Sequence, residues 1–170
     1  MLGIGGKELS EENAAQTAKA LNIIQPDFIR VHATGIKLES KLGEFVRDGS
    51  FTLQSEEEIV IEQKLFLQQL HEMDSYYVNE HIVNLLLEIR GNLRTEKQEM
   101  LSTIDRFLTL PPDERLLFTV GRRLNIFFRL DDLKKPKLHQ KAGESLQQIL
   151  SKNPHVDFAA LCNYVRQSQI

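Results

Sequence analysis

Apolar positions along the chain fall first at helical spacing, then in a short unbroken run, and after about residue 80 at helical spacing almost throughout. Ala14, Ala15, Ala18, Leu21 and Ile24 share one face of a first helix, with Ser10 as its N-cap and Pro26-Asp27 at its end. Phe28-Ile29-Arg30-Val31-His32-Ala33 has the aromatic and β-branched content of a strand. Alternation puts Arg30 and His32 on one face of it and Ile29 and Val31 on the other. Leu38, Leu42, Phe45 and Val46 mark a short helix stopped by Gly49. Ser55-Glu56-Glu57-Glu58 is a capping box, opening a helix with Ile59, Ile61, Leu65, Phe66 and Leu70 inward. Asp74 to Val78 predicts a second strand. Strand, two helices and strand again favours parallel pairing through a crossover.

From Asn79 onward the pattern predicts helices alone. The first runs from His81 to Ile89 and is closed by Gly91. A second opens at the capping box Thr95-Glu96-Lys97-Gln98, and Asp113 caps a third after Pro111-Pro112. Two more follow Pro136 and Asn153-Pro154. The chain therefore reads as α/β and helix-dominated, with one change of character that divides it into residues 1–80 and an all-α extension, 81–170.

Composition narrows the class. The 170 residues are 41% hydrophobic and 26% charged, which is ordinary for a folded domain and excludes disorder. A net charge of -3 argues against a dedicated nucleic-acid binder, since phosphate neutralisation needs a basic surplus. The single cysteine, Cys162, excludes an internal disulfide framework and suggests a reducing compartment. No apolar run approaches the roughly 18 residues of a membrane span, and Met1 to Ser10 is too glycine-rich for a signal-peptide core. These features predict a soluble, cytoplasmic protein.

Several side chains could carry chemistry. Gly3, Gly5 and Gly6 run into the first helix, where free backbone N–H groups suit an anionic or polar ligand. Their spacing is neither a P-loop nor the dinucleotide fingerprint, and plain turn glycines are the simpler reading. Such a loop ordinarily follows a strand, so the chain is expected to be a piece of a longer protein. His71 and His81 with Glu72 or Asp74 could be imagined on a metal, but ten residues and a turn separate the two imidazoles. Asp74, His81 and Asn84 form an anchoring set at the mouth of the sheet or, more simply, hydrogen-bond local backbone. Arg122, Arg123, Arg129, Lys134, Lys135 and Lys137 gather positive charge, as a solvated helix face or a contact for an anionic partner. Cys162 sits on the apolar face of the last helix and is expected to be packed and inert.

Five segments, in order, resemble a known family. They are Leu2-Gly3-Ile4-Gly5-Gly6-Lys7-Glu8; Pro26-Asp27-Phe28-Ile29-Arg30; Gly49-Ser50-Phe51 leading to Ser55-Glu56-Glu57-Glu58-Ile59; Ser75 to Asn84; and Gly91 to Leu101. Together they resemble the carboxyl-terminal half of radical S-adenosylmethionine proteins of the Fe-S oxidoreductase group, over about residues 2 to 108. The resemblance implies the last βα units of a partial (β/α)6 barrel followed by a helical extension. For the intact protein it implies a [4Fe-4S] cluster and reductive cleavage of S-adenosylmethionine to a radical that attacks an unknown substrate. Gly3, Gly5 and Gly6 would lie near that cofactor, with His32 at the barrel mouth. The family's "P-G-T-P-L" loop is replaced by Thr34-Gly35-Ile36-Lys37-Leu38, and its Cys-x3-Cys-x2-Cys triplet has no counterpart. The chain by itself is thus expected to be inactive and free of cofactor. Its implied partner is the rest of its own barrel, with a homodimer through an exposed strand edge as a further expectation. The competing reading is a helical protein-interaction module without catalysis, using the basic segment Gly121 to Lys137 as its surface.

Overall fold

The computed structural model describes residues 1–169. Helix α1 (Ser10–Ile24) leads to strand β1 (Phe28–Arg30), helices α2 (Lys41–Asp48) and α3 (Glu56–Gln69), and strands β2 (Tyr76–Val78) and β3 (Arg90–Asn92). Helices α4 (Lys97–Leu108), α5 (Pro112–Arg123), α6 (Pro136–Lys152) and α7 (Phe158–Gln167) follow, with a 3-10 turn at Leu130–Lys134. The protein is α/β and helix-dominated. No helix among the described residues is long and apolar enough to cross a membrane.

The sheet has the order β1-β2-β3. β1 and β2 are parallel, with Phe28 opposite Tyr76 and Arg30 opposite Val78, as the crossover reading requires. β3 pairs antiparallel to β2, with Gly91 opposite Tyr77. One further parallel rung joins Leu2 to Ala33, just past the end of β1. Ile29, Val31 and Tyr77 are buried, and α3 packs beneath them: Phe66 meets the Tyr77 ring, whose hydroxyl accepts from Gln63 Nε2 at 2.9 Å. The opposite face is open at its amino end, where Phe28 and Tyr76 stack about half exposed beside the exposed Arg30, and closed at Val78, which is buried.

Local chemistry accounts for most element ends. The capping box at Ser55 forms both of its bonds, Glu58 N to Ser55 Oγ at 3.2 Å and Ser55 N to Glu58 Oε2 at 2.7 Å. Ser40 caps α2, and Gly49 closes it in the left-handed region at φ 80°. Four expectations need correction. Ser10 is the first residue of α1 rather than its cap, because its hydroxyl donates to Glu62 Oε2 at 3.2 Å. Residues His81 to Ile89 form consecutive turns, not a helix: the Asn79 and Asn84 amides bond the backbone there and displace the helical ladder. Glu96 rather than Thr95 stands at the start of α4, its carboxylate accepting from Asn92 N at 2.7 Å. Asp113 lies inside α5, which begins at Pro112, a residue whose missing N–H costs nothing at that position. β3 was not expected at all.

One hydrophobic cluster runs from Leu2 through Tyr77, Leu86 and Phe107 to Leu146, so the core passes through residue 80 without a break. Its tightest point is Gly121 on α5, where a Cβ would stand 2.4 Å from Phe127 Cδ2. Gly143 on α6 has nothing within 4 Å of that position. Gly121→Ala is expected to cost about 1–3 kcal/mol in urea unfolding through overpacking. Gly143→Ala is expected to be neutral or slightly stabilising, because alanine favours the helix.

Candidate functional site at the carboxyl end of the parallel strands

Because β1 and β2 run the same way, their carboxyl ends open on one edge, and the chain's polar groups converge there. Beyond Val78 the chain turns through Asn79, and the buried Asn84 reaches back to the end of β1. Asn84 Nδ2 donates to Val31 O at 2.9 Å, and Asn84 Oδ1 accepts from Ala33 N at 2.7 Å. One side-chain amide thus stands in for a rung of β-ladder. Only the bond from Asn84 Nδ2 to Asn79 O, at 3.0 Å, is the local anchoring expected of this residue; its other two partners lie more than fifty positions away.

The same turn brings His81 against His32. The two rings stack with centroids 4.0 Å apart and 25° between their planes, both half-buried. The Val83 N–H donates to His81 Nδ1 at 3.4 Å. Burial, then charge on His81 and on Arg30, hold the His32 imidazole below its ordinary value. Arg30 and His32 lie on the open face of the sheet, as alternation required. The two place a half-buried imidazole and an exposed guanidinium on one face of the strand, chemistry that suits a polar or anionic group.

The glycine loop folds against these residues, and Leu2 N donates to His32 O at 2.9 Å. Gly3 and Gly6 take positive φ, at 80° and 63°, and a Cβ on Gly5 would lie 2.9 Å from Leu9 O. Three amides of the loop, those of Gly3, Gly6 and Lys7, already have partners inside the fold. Gly3 N donates to both oxygens of Glu62, at 3.2 and 3.3 Å, Gly6 N to Gly3 O at 3.3 Å and Lys7 N to Thr52 O at 3.1 Å. Glu62 is fully buried and also accepts from Ser10 Oγ at 3.2 Å and Asn13 Nδ2 at 2.6 Å. A carboxylate of the chain itself therefore occupies the Gly3 amide. Glu62 was missed in the sequence, although it stands three residues after Ile59 and four before Phe66 on the inward face of α3.

Other candidates lie apart. Asp74 pairs with Arg94 at 2.9 and 3.0 Å, at the far end of β2 from His81. His71 is exposed at that far end, its N–H donating to Asn22 Oδ1 at 2.8 Å. No group of three or more His, Cys, Asp or Glu among the described residues is arranged to hold a metal ion. Arg122 and Arg123 are buried, not part of a solvated face. Arg122 Nη2 donates to Ile82 O at 2.8 Å, and Arg123 Nη2 to Glu56 Oε2 at 2.6 Å. Arg129, Lys134, Lys135 and Lys137 remain exposed. Cys162 is buried, and burial followed by the Glu56 charge pushes its thiol up to about 12. A cluster held by three thiolates does not fit this chain, which has this one cysteine. Comparison with protein-family models, with curated proteins and with solved structures found no match to the chain.

The stacked pair makes a definite titration prediction. In a proton-detected NMR titration His32 is expected to titrate below the ordinary imidazole value of about 6.5, and His81→Ala to move it upward. Since the unfolded chain binds this proton more readily than the folded one, His32's stabilising contribution is present above that value and is lost as pH falls through the folded one. His81→Ala should flatten that part of the stability profile.

Proposed function

We propose that this chain forms the carboxyl-terminal sector of a radical S-adenosylmethionine barrel in a protein of the Fe-S oxidoreductase group. In this reading it shapes the barrel mouth and one wall of the interior, while the cluster's thiolates are carried elsewhere in the protein. The observation that carries it is the one-sided sheet. β1 and β2 are parallel, α1 and α3 pack against each other on the Ile29 side, and the other side is exposed at Phe28, Arg30 and Tyr76, though not at the buried Val78. Helices outside and an open strand face inside is how a barrel sector is built. The parallel rung between Leu2 and Ala33 supports it further, since it is a single rung of the same direction on the edge of β1 away from β2. Val31 N bonds Val78 O and Tyr76 N bonds Asp27 O, so the odd-numbered residues of β1 face β2. Phe28 and Arg30 turn their backbone groups to the outer edge, where a barrel strand would complete them. Arg30 and His32 would then meet a polar or anionic part of the substrate.

Two measurements test this reading. Sequencing of the source DNA upstream of Met1 is expected to find an in-frame Cys-x3-Cys-x2-Cys triplet; a stop codon just before Met1 with no such triplet overturns the proposal. The purified chain given iron and sulfide without oxygen is expected to remain colourless, and near-stoichiometric iron and acid-labile sulfide would contradict the division of labour. The free edge of β1 also suits pairing with a second copy. Light scattering is expected to show a mass that rises with concentration; a monomer mass throughout removes the dimer.

A further inference from the structure

The backbone beyond β1 leaves the sheet, yet from Val31 to Ile36 most of its polar groups have a partner brought from far along the chain. Asn84 holds Val31 O and Ala33 N, while Leu2 bonds His32 O and takes the Thr34 N–H at 2.8 Å. The Thr34 and Ile36 carbonyls and the Ile36 amide belong to α7. Asn163 Oδ1 accepts from Ile36 N at 2.8 Å, and Asn163 Nδ2 donates to Ile36 O at 2.9 Å. Arg166 Nε donates to Thr34 O at 3.0 Å, and its Nη1 bonds Glu56 Oε1.

α7 is attached by these polar bonds more than by apolar packing. Its buried residues are Cys162, Asn163 and Arg166, and Tyr164 is 65% exposed. The linker from Asn153 to Asp157 is exposed apart from a half-buried Val156. Under the first turns of α7 lies a small cleft of about 150 Å³ bordered by Phe107, Leu116, Phe158 and Cys162. An element with few buried apolar contacts, joined through an exposed linker, sits at the low-stability end of a fold.

We infer that α7 is a strap that lifts locally, ahead of the rest of the fold, and that its seating sets the path of residues 31–36 at the carboxyl end of β1. Asn163 and Arg166 are positioning residues in this scheme. Opening frees Thr34 to Ile36 beside His32, so the strap regulates the mouth. That regulatory role rests on the barrel reading above; the strap itself does not, and a stop codon before Met1 would leave it standing.

Cys162 supplies the test, because it is the sole cysteine and lies on the buried face of the strap. Under native conditions N-ethylmaleimide is expected to modify it about tenfold or more faster than global unfolding allows. Asn163→Ala, which removes two backbone bonds but not the Glu56 pairing, is expected to raise that rate about tenfold again. Once alkylated, the chain cannot reseat α7. Hydrogen exchange should then accelerate at the Ala33 and Thr34 amides, whose own acceptors are Asn84 and Leu2, and stay unchanged in α3. Labelling at only the global unfolding rate overturns the inference. So does an alkylated chain that keeps its Ala33 and Thr34 protection, or one that loses α3 protection as well.

Discussion

A single carboxylate, Glu56, joins three parts of the chain that are distant in sequence. It opens α3 and is met in the interior by Arg123 from α5 and Arg166 from α7. Burial alone would push its proton affinity up; the two guanidinium groups outweigh that and hold it below the usual carboxylate range. Two cations against one anion leave an excess of positive charge in a dry place. Backbone carbonyls absorb it: Val83 O accepts from Arg123 at 3.0 Å, and Thr34 O accepts from Arg166. Those carbonyls lie in the loops that form the mouth. The ion cluster and the loop geometry therefore stand or fall together. Removing one partner of such a cluster leaves an uncompensated buried charge and is strongly destabilising.

The same economy runs through the sheet. Each strand has three residues, too few for a ladder that stands alone. Side-chain amides complete what the strands begin. Asn84 and Asn163 each make two backbone bonds to the segment beyond β1, one from either side. An asparagine carries a donor and an acceptor at about the spacing of a peptide group, which suits it to replace a missing strand partner. This lets an irregular chain be buried with most of its backbone polar groups partnered.

Periodicity revealed the elements whose bonds are local. α3 with its capping box, α2 with Gly49, and the two-faced pattern of β1 follow from residues within a few positions of each other. The misreadings share a cause of the opposite kind. Ser10 reads as a cap until Glu62, fifty-two residues away, draws its hydroxyl off. Residues 81 to 89 are apolar enough for a buried helix, but Asn79 and Asn84 spend their amides on the backbone. Arg122 and Arg123 resemble a solvated pair because Glu56 and the carbonyls of Ile82 and Val83 are invisible at that distance. Of the candidate site, His32 and His81 were each visible; that they stack was not, since only the turn after β2 brings them together.

The rung between Leu2 and Ala33 is keyed twice. Leu2 is buried, so a slip of one residue would throw its side chain to the solvent face and bring a neighbour inward. Gly3 would leave Glu62 in the same movement, stranding a buried carboxylate with fewer donors. Hydrophobic fit and buried charge thus report the same error. Any extended segment continuous with Leu2 meets β1 in one alignment, proofread before it forms a further bond.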